Sequence, residues 1–365
     1  MIELSLFKFE PDKPFNNLSI LPPKANLETV PILKKVTSAR AALAELKGIA
    51  GVIPNQNILI NTISLKESKD SSEIENIITT NDKLFKAISS NLKNIDSSTK
   101  EVIFYREALW EGYRELKKSK VLTINAINSI QEKIINNNAG IRKLPGTKIQ
   151  NIKTGKTVYT PPEGVQLLNK LLVNLETYIN TNGDIDPLIK LAIIHYQFEA
   201  IHPYYDGNGR TGRIINILYL ILKQLLDIPV LYLSSYVIKN KGKYYDLLRS
   251  VTENESWEKW ILFVLDGIEQ TSRETIEKIN EIKDLFQETI ELVKNKAPKI
   301  YKKELIELLF ENPYTKIDFV VKRNIAGRET ASKYLSVLTK LGVLKIHKFG
   351  NENLYLNVKL YNILK

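Results

Sequence analysis

The sequence of 365 residues contains no cysteine, and it has only one methionine and three histidines. Without cysteine, the chain has no disulfide bond, no thiolate metal site and no cysteine nucleophile. It also lacks the run of ~18 apolar residues that a membrane-spanning helix needs, and its start lacks a basic segment followed by an apolar one. We therefore expect a cytoplasmic protein that does not contact a membrane.

The composition is otherwise that of an ordinary globular protein. Hydrophobic residues make up 43% of the chain, and a chain of this length can form two or three domains with cores of their own. The net charge is +11, and residues 295–365 alone contain 14 basic and 6 acidic residues. A basic terminal segment is a candidate surface for nucleic acid, although a solvated lysine-rich face is an equally good interpretation.

A polar stretch, HPYYDGNGRTGR at residues 202–213, stands between two segments with apolar residues at helical spacing. We predict a loop that ends at the N-terminus of a buried helix. Gly207 and Gly209 allow backbone conformations in which successive N–H groups turn toward an anion, and the helix dipole adds its positive end. These features predict a phosphate-binding site.

Four side chains add chemistry to this predicted site. Arg210 and Arg213 lie three residues apart at the start of the helix, so both can bind the same polyphosphate. Asp206 is suited to Mg²⁺, which proteins usually hold with one or two carboxylates and phosphate oxygens. His202 can take a proton from an attacking hydroxyl, because the unperturbed pKa of histidine lies near neutrality.

A zinc site is the alternative use of the histidines. His195 lies seven residues before His202, and the pair could be combined with Asp206. The sequence has no HExxH pattern, and neither the glycines nor the arginines of the loop suit a metal pocket. We therefore interpret His195 as a hydrogen-bonded core histidine and Glu199 as structural support near the loop.

The stretch resembles the motif of the Fic family, HPFx[D/E]GNGRxxR, at every defined position except Tyr204, where phenylalanine is usual. Tyrosine keeps the ring and adds a hydroxyl, which we interpret as a tolerated packing change. The resemblance implies an enzyme that transfers AMP from ATP to a Ser, Thr or Tyr hydroxyl of a protein. ATP and Mg²⁺ are the implied cofactors, and the chain itself is one candidate acceptor.

The resemblance also implies a role for each residue of the motif. His202 removes the hydroxyl proton, and Mg²⁺ on Asp206 bridges the phosphates. The backbone N–H groups of residues 207–209 and the side chain of Asn208 stabilise the developing charge. The residues implied to contact the nucleotide are Gly207, Asn208, Gly209, Arg210 and Arg213.

Two further segments acquire a meaning from the resemblance. In relatives the segment after the motif helix borders the adenine pocket, so Tyr236 and Tyr245 are candidates for stacking, although tyrosines at helical spacing are more often core residues. Short β-prone runs around residues 154–155 predict a hairpin. The hairpin is similar in position to the family's flap, which holds a target by strand addition, and a plain surface hairpin is the alternative.

A regulatory segment is implied upstream of the motif. Ser71, Glu75 and Asn76 fit the pattern [S/T]xxxE[G/N] that marks the inhibitory helix of many Fic proteins, here at about residues 71–78. The family pattern sets this glutamate against the second arginine of the motif, here Arg213. The alternative is a capping box, in which a serine bonds the first turn of a short helix.

The C-terminal segment predicts a winged helix. After Pro298, three helical patterns are followed by two β-prone runs around Gly350-Asn351. Arg328, Lys333 and the wing could contact DNA, and docking to a protein is an equally good use of this fold. Near the N-terminus, helices are predicted at 27–46, closed by Lys47-Gly48, and at 57–66.

We therefore predict an all-α protein: an N-terminal helical region at 1–95, a Fic helical core with a small β-hairpin flap at 96–295, and a winged helix-turn-helix domain at 296–365. The predicted function is that of a protein adenylyltransferase autoinhibited by Glu75. Two alternatives stay open, a nucleotide-sensing transcription regulator and a site that removes AMP or transfers another phosphate-linked group. A homodimer is a further candidate assembly.

Overall fold

The computed structural model describes residues 9–53, 55–89, 95–151, 154–349 and 352–365. Within these ranges the chain forms fifteen α-helices and two small antiparallel sheets, which confirms the predicted fold class. No helix in these ranges is both long enough and apolar enough to span a membrane. The first of two compact units contains residues 1–43, 104–229 and 233–270, and the second contains 44–103, 230–232 and 271–365.

Eleven helices and one hairpin precede residue 297 within the described ranges. The helices are α1 (Val30–Val52), α2 (Gln56–Ile74), α3 (Asn81–Ser89), α4 (Ser97–Ser119), α5 (Ile124–Ile135), α6 (Val165–Asn180), α7 (Pro187–Ile201), α8 (Asn208–Leu222), α9 (Leu233–Lys239), α10 (Lys241–Asn254) and α11 (Trp257–Lys296). Strands β1 (Ile149–Gln150) and β2 (Thr157–Tyr159) pair antiparallel, as the predicted hairpin requires.

The core of the first unit is built around α7 and α8. Helix α7 is apolar on all faces and is buried along nearly its whole length, as expected of a central helix. Its start is fixed by Asp186, whose carboxylate accepts a hydrogen bond from the backbone N–H of Leu188 at 2.7 Å, and by Pro187 at the first helical position. The apolar positions of α8 are buried as well. The polar loop is therefore held between two buried helices.

The second unit contains the C-terminal segment, in which the three predicted helices precede the two predicted strands, with a short strand after the first helix and a last helix that the sequence did not predict. Its elements are α12 (Lys303–Glu311), β3 (Tyr314–Thr315), α13 (Ile317–Lys322), α14 (Arg328–Lys340), β4 (Lys345–Phe349), β5 (Glu352–Leu356) and α15 (Val358–Leu364). The strands form one antiparallel sheet in the order β3-β5-β4. The predicted turn at Gly350-Asn351 lies outside the described residues.

Residues of α3 pack against this C-terminal segment within the second unit. The Tyr314 hydroxyl donates to the Asp82 carboxylate at 2.7 Å, and the Ser89 hydroxyl donates to the Tyr314 carbonyl at 3.1 Å. The rings of Phe85 and Tyr361 meet edge to face, with 5.8 Å between their centroids. The C-terminal segment thus shares its core with residues that precede the Fic motif by more than a hundred positions.

Two helices extend beyond their predicted ends. Helix α1 does not end at Lys47-Gly48, because the buried side chains of Leu46 and Ala50 hold the turn that contains the exposed glycine. Helix α2 does not end at 66 but continues to Ile74. The packing of an apolar face outweighs the low helix propensity of a single glycine.

The length of α2 rules out one of the two interpretations of its last turn. Ser71 and Ser72 are buried in that turn, so the capping-box alternative, which needs a serine before the first turn of a helix, is wrong. The N-cap is Asn55, whose side chain accepts a hydrogen bond from the backbone N–H of Asn57 at 3.0 Å. The segment predicted as helical at about 71–78 is helical only as far as residue 74.

Candidate active site

The loop between α7 and α8 is shaped by two residues with left-handed backbones. His202 follows the last residue of α7 with φ 48° and ψ 59°, and its N–H donates to the Phe198 carbonyl at 3.0 Å. Gly207 precedes α8 with φ 79°. A Cβ at Gly207 would lie 3.0 Å from Cγ2 of Ile135, so both the backbone and the available space favour glycine.

The side chain of Asn208 closes the loop upon itself. Its Oδ1 accepts a hydrogen bond from the Tyr204 N–H, and its Nδ2 donates to the Tyr204 carbonyl, each at 2.8 Å. Asn208 is buried, so these bonds form in a region of low dielectric where leaving them unmade would be costly. Asn208 therefore stabilises the conformation of the loop, since both of its side-chain polar atoms bind the loop backbone.

Helix α5 binds the loop through two polar side chains, Asn128 and Gln131. The Tyr204 hydroxyl donates to Oδ1 of Asn128 at 2.6 Å, and Nε2 of Gln131 donates to the Asp206 carbonyl at 3.0 Å. Burial raises the pKa of Tyr204, which therefore stays a neutral donor. The hydroxyl that distinguishes this sequence from the phenylalanine of the family motif thus has a partner in Asn128.

The charged side chains of the loop differ sharply in exposure. Arg210 and Arg213 are 1% and 4% exposed, whereas the side chain of Asp206 is 68% exposed. Oδ1 of Asp206 accepts a hydrogen bond from the Gly207 N–H at 2.6 Å and lies 3.4 Å from Nη2 of Arg210. The Gly207 N–H, which was predicted to bind an anion, thus donates to the carboxylate of Asp206 in the same loop.

The donor set at the loop fits Mg²⁺ held mainly by the oxygens of a bound ligand. Asp206 offers an exposed carboxylate, which is the ligand type that Mg²⁺ prefers. Throughout the described part of the chain, no group of three or more His, Asp or Glu side chains gathers in a way that could hold a metal ion. A metal at this loop would therefore need phosphate oxygens or water to complete its coordination.

His195 is a buried, hydrogen-bonded histidine, as the sequence predicts. Its Nε2 is 2.9 Å from the Tyr244 hydroxyl, and its ring stacks on Trp260 with 5.9 Å between the centroids. Burial and the nearby charge of Arg213 lower the pKa of His195 to about 3. A neutral imidazole can lie beside a buried guanidinium without electrostatic repulsion.

His195 also lines a small cavity with residues of four helices. The polar or aromatic side chains that line it are His195, Arg213, Asn216, Tyr236, Tyr244 and Phe263. Tyr236 is buried there, whereas Tyr245 is 46% exposed and meets Tyr244 edge to face at 5.1 Å. Of the two tyrosines predicted to flank adenine, Tyr236 shares a cavity with a motif arginine and Tyr245 faces the surface.

Helices α7 and α8 approach closely where α8 has a glycine. A Cβ at Gly212 would lie 2.5 Å from Oε1 of Glu199 and 3.1 Å from Cδ1 of Phe198. The missing side chain therefore makes room for the Glu199 carboxylate beside the first turns of α8. This geometry agrees with the interpretation of Glu199 as structural support.

Arg142, which precedes the hairpin, is a residue that the sequence did not reveal. It is 1% exposed, and its guanidinium donates to the carbonyls of Ile201, His202 and Pro162. Its backbone N–H donates to the Pro203 carbonyl at 2.9 Å. An isolated arginine in a loop is normally exposed, so neither composition nor spacing marks this one as part of the site.

The predicted regulatory residues belong to the second unit, and the loop belongs to the first. Ser71 is buried in the last turn of α2, and Glu75 is the partly exposed residue that caps this helix. Asn76 follows with φ 63°, so the chain turns directly after the glutamate. Glu75 is thus a residue at a helix end.

Comparison with known proteins gives three matches to family models along the chain. Residues 33–114 match the Fic/DOC family N-terminal model, and residues 121–220 match the Fic/DOC family model. Residues 285–360 match the C-terminal domain of protein adenylyltransferase SoFic-like proteins. The loop at 202–213 lies within the second of these matches.

Curated relatives match shorter stretches. The probable protein adenylyltransferase aq_aa38 of Aquifex aeolicus is 36% identical over 93 residues, which are 26% of either chain. The protein adenylyltransferase Fic of Aedes aegypti is 25% identical over 158 residues, which are 43% of this chain and 30% of that protein. The matched stretches therefore span less than a third of these relatives' own length.

Solved structures share the fold over most of the chain. A Fic family protein from Desulfovibrio desulfuricans G20 gives a TM-score of 0.57 at 17% identity and covers 90% of this chain and 96% of its own. A Fic domain containing signaling protein from Bacteroides thetaiotaomicron VPI-5482 gives 0.54 at 17% identity, covering 67% and 97%. Fic/DOC family domains are therefore present at residues 33–114 and 121–220, the second with the motif at residues 202–213, and the fold is that of solved Fic proteins.

Proposed function

We propose that the chain is a protein adenylyltransferase, which transfers AMP from ATP to a hydroxyl group of a protein. The observation that carries this proposal is the loop itself. It combines a histidine, an exposed carboxylate at Asp206 and two buried guanidinium groups at the start of a buried helix. The names of the curated relatives, which are protein adenylyltransferases, support the same reaction.

The triphosphate is the part of ATP that this loop suits best. The first N–H groups of a helix have no acceptor within the helix, and the helix dipole places partial positive charge there. Arg210 and Arg213 add two full charges within the first two turns of α8. A polyanion at this position gains from both contributions, and Gly209 lets it approach the backbone closely.

In the proposed reaction, the target hydroxyl oxygen attacks the α-phosphorus while its proton passes to His202. The bond from the α-phosphorus to the oxygen that leads to the β-phosphate breaks, and pyrophosphate leaves. Mg²⁺, held by Asp206 and phosphate oxygens, would neutralise part of the phosphate charge when bound. Arg210 and Arg213 would orient the phosphates for in-line attack.

Asn208 takes a different part from the one that its family position implies. Both polar groups of its side chain are bonded to the Tyr204 backbone, so we assign it to holding the loop rather than to stabilising charge directly. Of the two candidates for contact with the adenine, Tyr236 is buried in a cavity too small for an adenine ring, which agrees better with a core tyrosine. Tyr245 is exposed at the surface.

The first prediction concerns the base. His202→Ala should lower AMP transfer by at least ~10²-fold, because a general base contributes at least that much, while ATP still binds through the untouched arginines and helix start. Labelled AMP incorporation and calorimetric titration with ATP measure the two properties. His347→Ala, on β4 in the second unit, is the matched control and should behave as wild type. Near-normal transfer by His202→Ala would contradict the assignment.

We further propose that Glu75 restrains the enzyme by binding Arg213. The family pattern supports this pairing, and Glu75 lies at the end of α2, directly before the left-handed Asn76. An arginine engaged by a carboxylate is withheld from the γ-phosphate, so ATP would bind with its α-phosphate poorly aligned for attack. Ser71, one turn earlier in the same helix, would help to fix the position of the glutamate.

The second prediction tests this restraint. Glu75→Gly should raise AMP transfer, including transfer to the chain itself, by about tenfold or more, since a charge-assisted hydrogen bond contributes roughly 1.5–3 kcal/mol. The double variant with Arg213→Ala should gain nothing. Glu73→Gly is the matched control, because Glu73 lies in the same turn and pairs with Lys69 at 3.0 Å. Unchanged or lower transfer by Glu75→Gly would remove the autoinhibition.

A second candidate function is binding of duplex DNA by the C-terminal segment. Helix α14 exposes Lys333 and Lys340 on the face opposite its buried residues, and Lys345 is exposed on strand β4. Exposed lysines of this kind can contact the phosphates of a groove. The predicted contact through Arg328 is weakened, because its guanidinium is 2.9 Å from the Asp318 carboxylate.

The third prediction concerns this face. DNA affinity should fall as salt rises, because each neutralised phosphate adds about 0.9 to the slope of log affinity against log salt. Changing Lys333 and Lys345 together to Gln should reduce this slope by about 2. Lys359→Gln, on α15, is the matched control. Fluorescence anisotropy with a labelled duplex measures the affinity and its salt slope. Equal slopes in wild type, the double variant and Lys359→Gln would exclude this surface as the DNA-binding site.

A further inference from the structure

Three successive carbonyl groups at the end of α7 accept hydrogen bonds from the segment that carries the hairpin. The Tyr159 hydroxyl donates to the Ala200 carbonyl at 2.8 Å. Arg142 donates from Nη2 to the Ile201 carbonyl at 3.2 Å and from Nε to the His202 carbonyl at 2.8 Å. The last carbonyls of a helix have no partner within the helix, so these two side chains cap α7.

The same guanidinium is also bonded to the base of the hairpin. Nη2 of Arg142 donates to the carbonyl of Pro162, three residues after β2 ends. The backbone next to Arg142 is also joined to the loop, because Ile141 forms an antiparallel bridge with Tyr204. A guanidinium is planar and rigid, so bonds from its nitrogens fix the directions of their acceptors relative to one another.

One acceptor of Arg142 is the backbone carbonyl of His202, the proposed general base. His202 has a left-handed backbone, which is unfavourable for a residue with a Cβ and needs support from its surroundings. Arg142 supplies that support at the His202 carbonyl from within the protein. Burial lowers the pKa of Arg142, but an arginine guanidinium remains protonated in proteins, so the negative end of the α7 dipole faces a full positive charge.

We propose that Arg142 is a positioning residue for the transfer reaction. One buried guanidinium holds the backbone of His202 and the residue that follows the hairpin, Pro162, in a fixed relation. The imidazole of His202 therefore faces a hydroxyl presented at the hairpin. This inference rests on the proposed function of the loop. Loss of Arg142 leaves the phosphate-binding arginines in place and loosens the base, so the effect falls on the rate of transfer rather than on ATP binding.

Arg142→Met tests this positioning, because methionine keeps much of the side-chain length and removes every donor. We expect kcat for AMP transfer to fall at least ~10-fold, since small misplacements of reacting groups are costly, while KM for ATP stays within about twofold. Arg142→Lys should restore part of kcat, because an ammonium can bond some of the carbonyls without the fork geometry. Lys143→Met, the exposed neighbour, removes the same charge and should match wild type.

The histidines provide a readout that does not depend on turnover. The chain has three, so the imidazole ¹H–¹⁵N spectrum is simple and each signal can be assigned with a single His→Gln variant. Arg142→Met and Arg142→Lys should shift the signals of His202 and leave those of His347 unchanged. If wild type transfers no AMP, the proposed function fails while this spectrum still tests the position of His202.

Three results would overturn the proposal. The first is wild-type kcat in Arg142→Met, and the second is a rise of KM for ATP as large as the fall in kcat. The third is unchanged His202 signals in both variants. Where Arg142→Met unfolds below the assay temperature, Arg142→Lys alone decides, because a folded protein with full kcat and unshifted His202 signals contradicts the role.

Discussion

The site depends on a reversal of the chain between the C-terminus of one buried helix and the N-terminus of the next. Helix α7 ends at Ile201 and α8 begins at Asn208, and the residues that flank the loop, His202 and Gly207, both have positive φ. The loop therefore carries the carbonyl end of one helix and the N–H end of another. The N–H end favours anions, and the carbonyl end favours a cation, which Arg142 supplies from inside the protein.

The reversal is stable because buried polar groups around it find partners. The Asn208 amide bonds the Tyr204 backbone on both sides, and Asn128 accepts from the Tyr204 hydroxyl. Each of these bonds would be costly to leave unmade in the interior. They fix the loop before any ligand arrives, so two buried arginines and an exposed carboxylate are presented in a preformed arrangement. Preorganisation of this kind is how a protein with no covalent intermediate accelerates phosphoryl chemistry.

Local patterns in the sequence missed the short strand β3 and the last helix α15, but they were sufficient for the loop, the hairpin, and the three helices and two longer strands after Pro298. Each of these features is encoded within about twenty residues, by glycine, by alternation or by helical spacing. Arg142 and Asn128 were missed because their importance arises from contacts with residues more than fifty positions away. The continuation of α2 through Ser71 has the same origin, since buried packing rather than propensity sets its length. The packing of α3 against the C-terminal segment is likewise a long-range property.

The central claim is that the loop at residues 202–213 directs an acceptor hydroxyl to the α-phosphorus of ATP. The most direct measurement incubates the full chain and Mg²⁺ with ATP labelled at either the α- or the γ-phosphate, then counts label that stays on denatured protein. The account predicts label from the α-position alone, with pyrophosphate released in equal amount. Label retained from the γ-position, or release of inorganic phosphate without any protein-bound label, would contradict it.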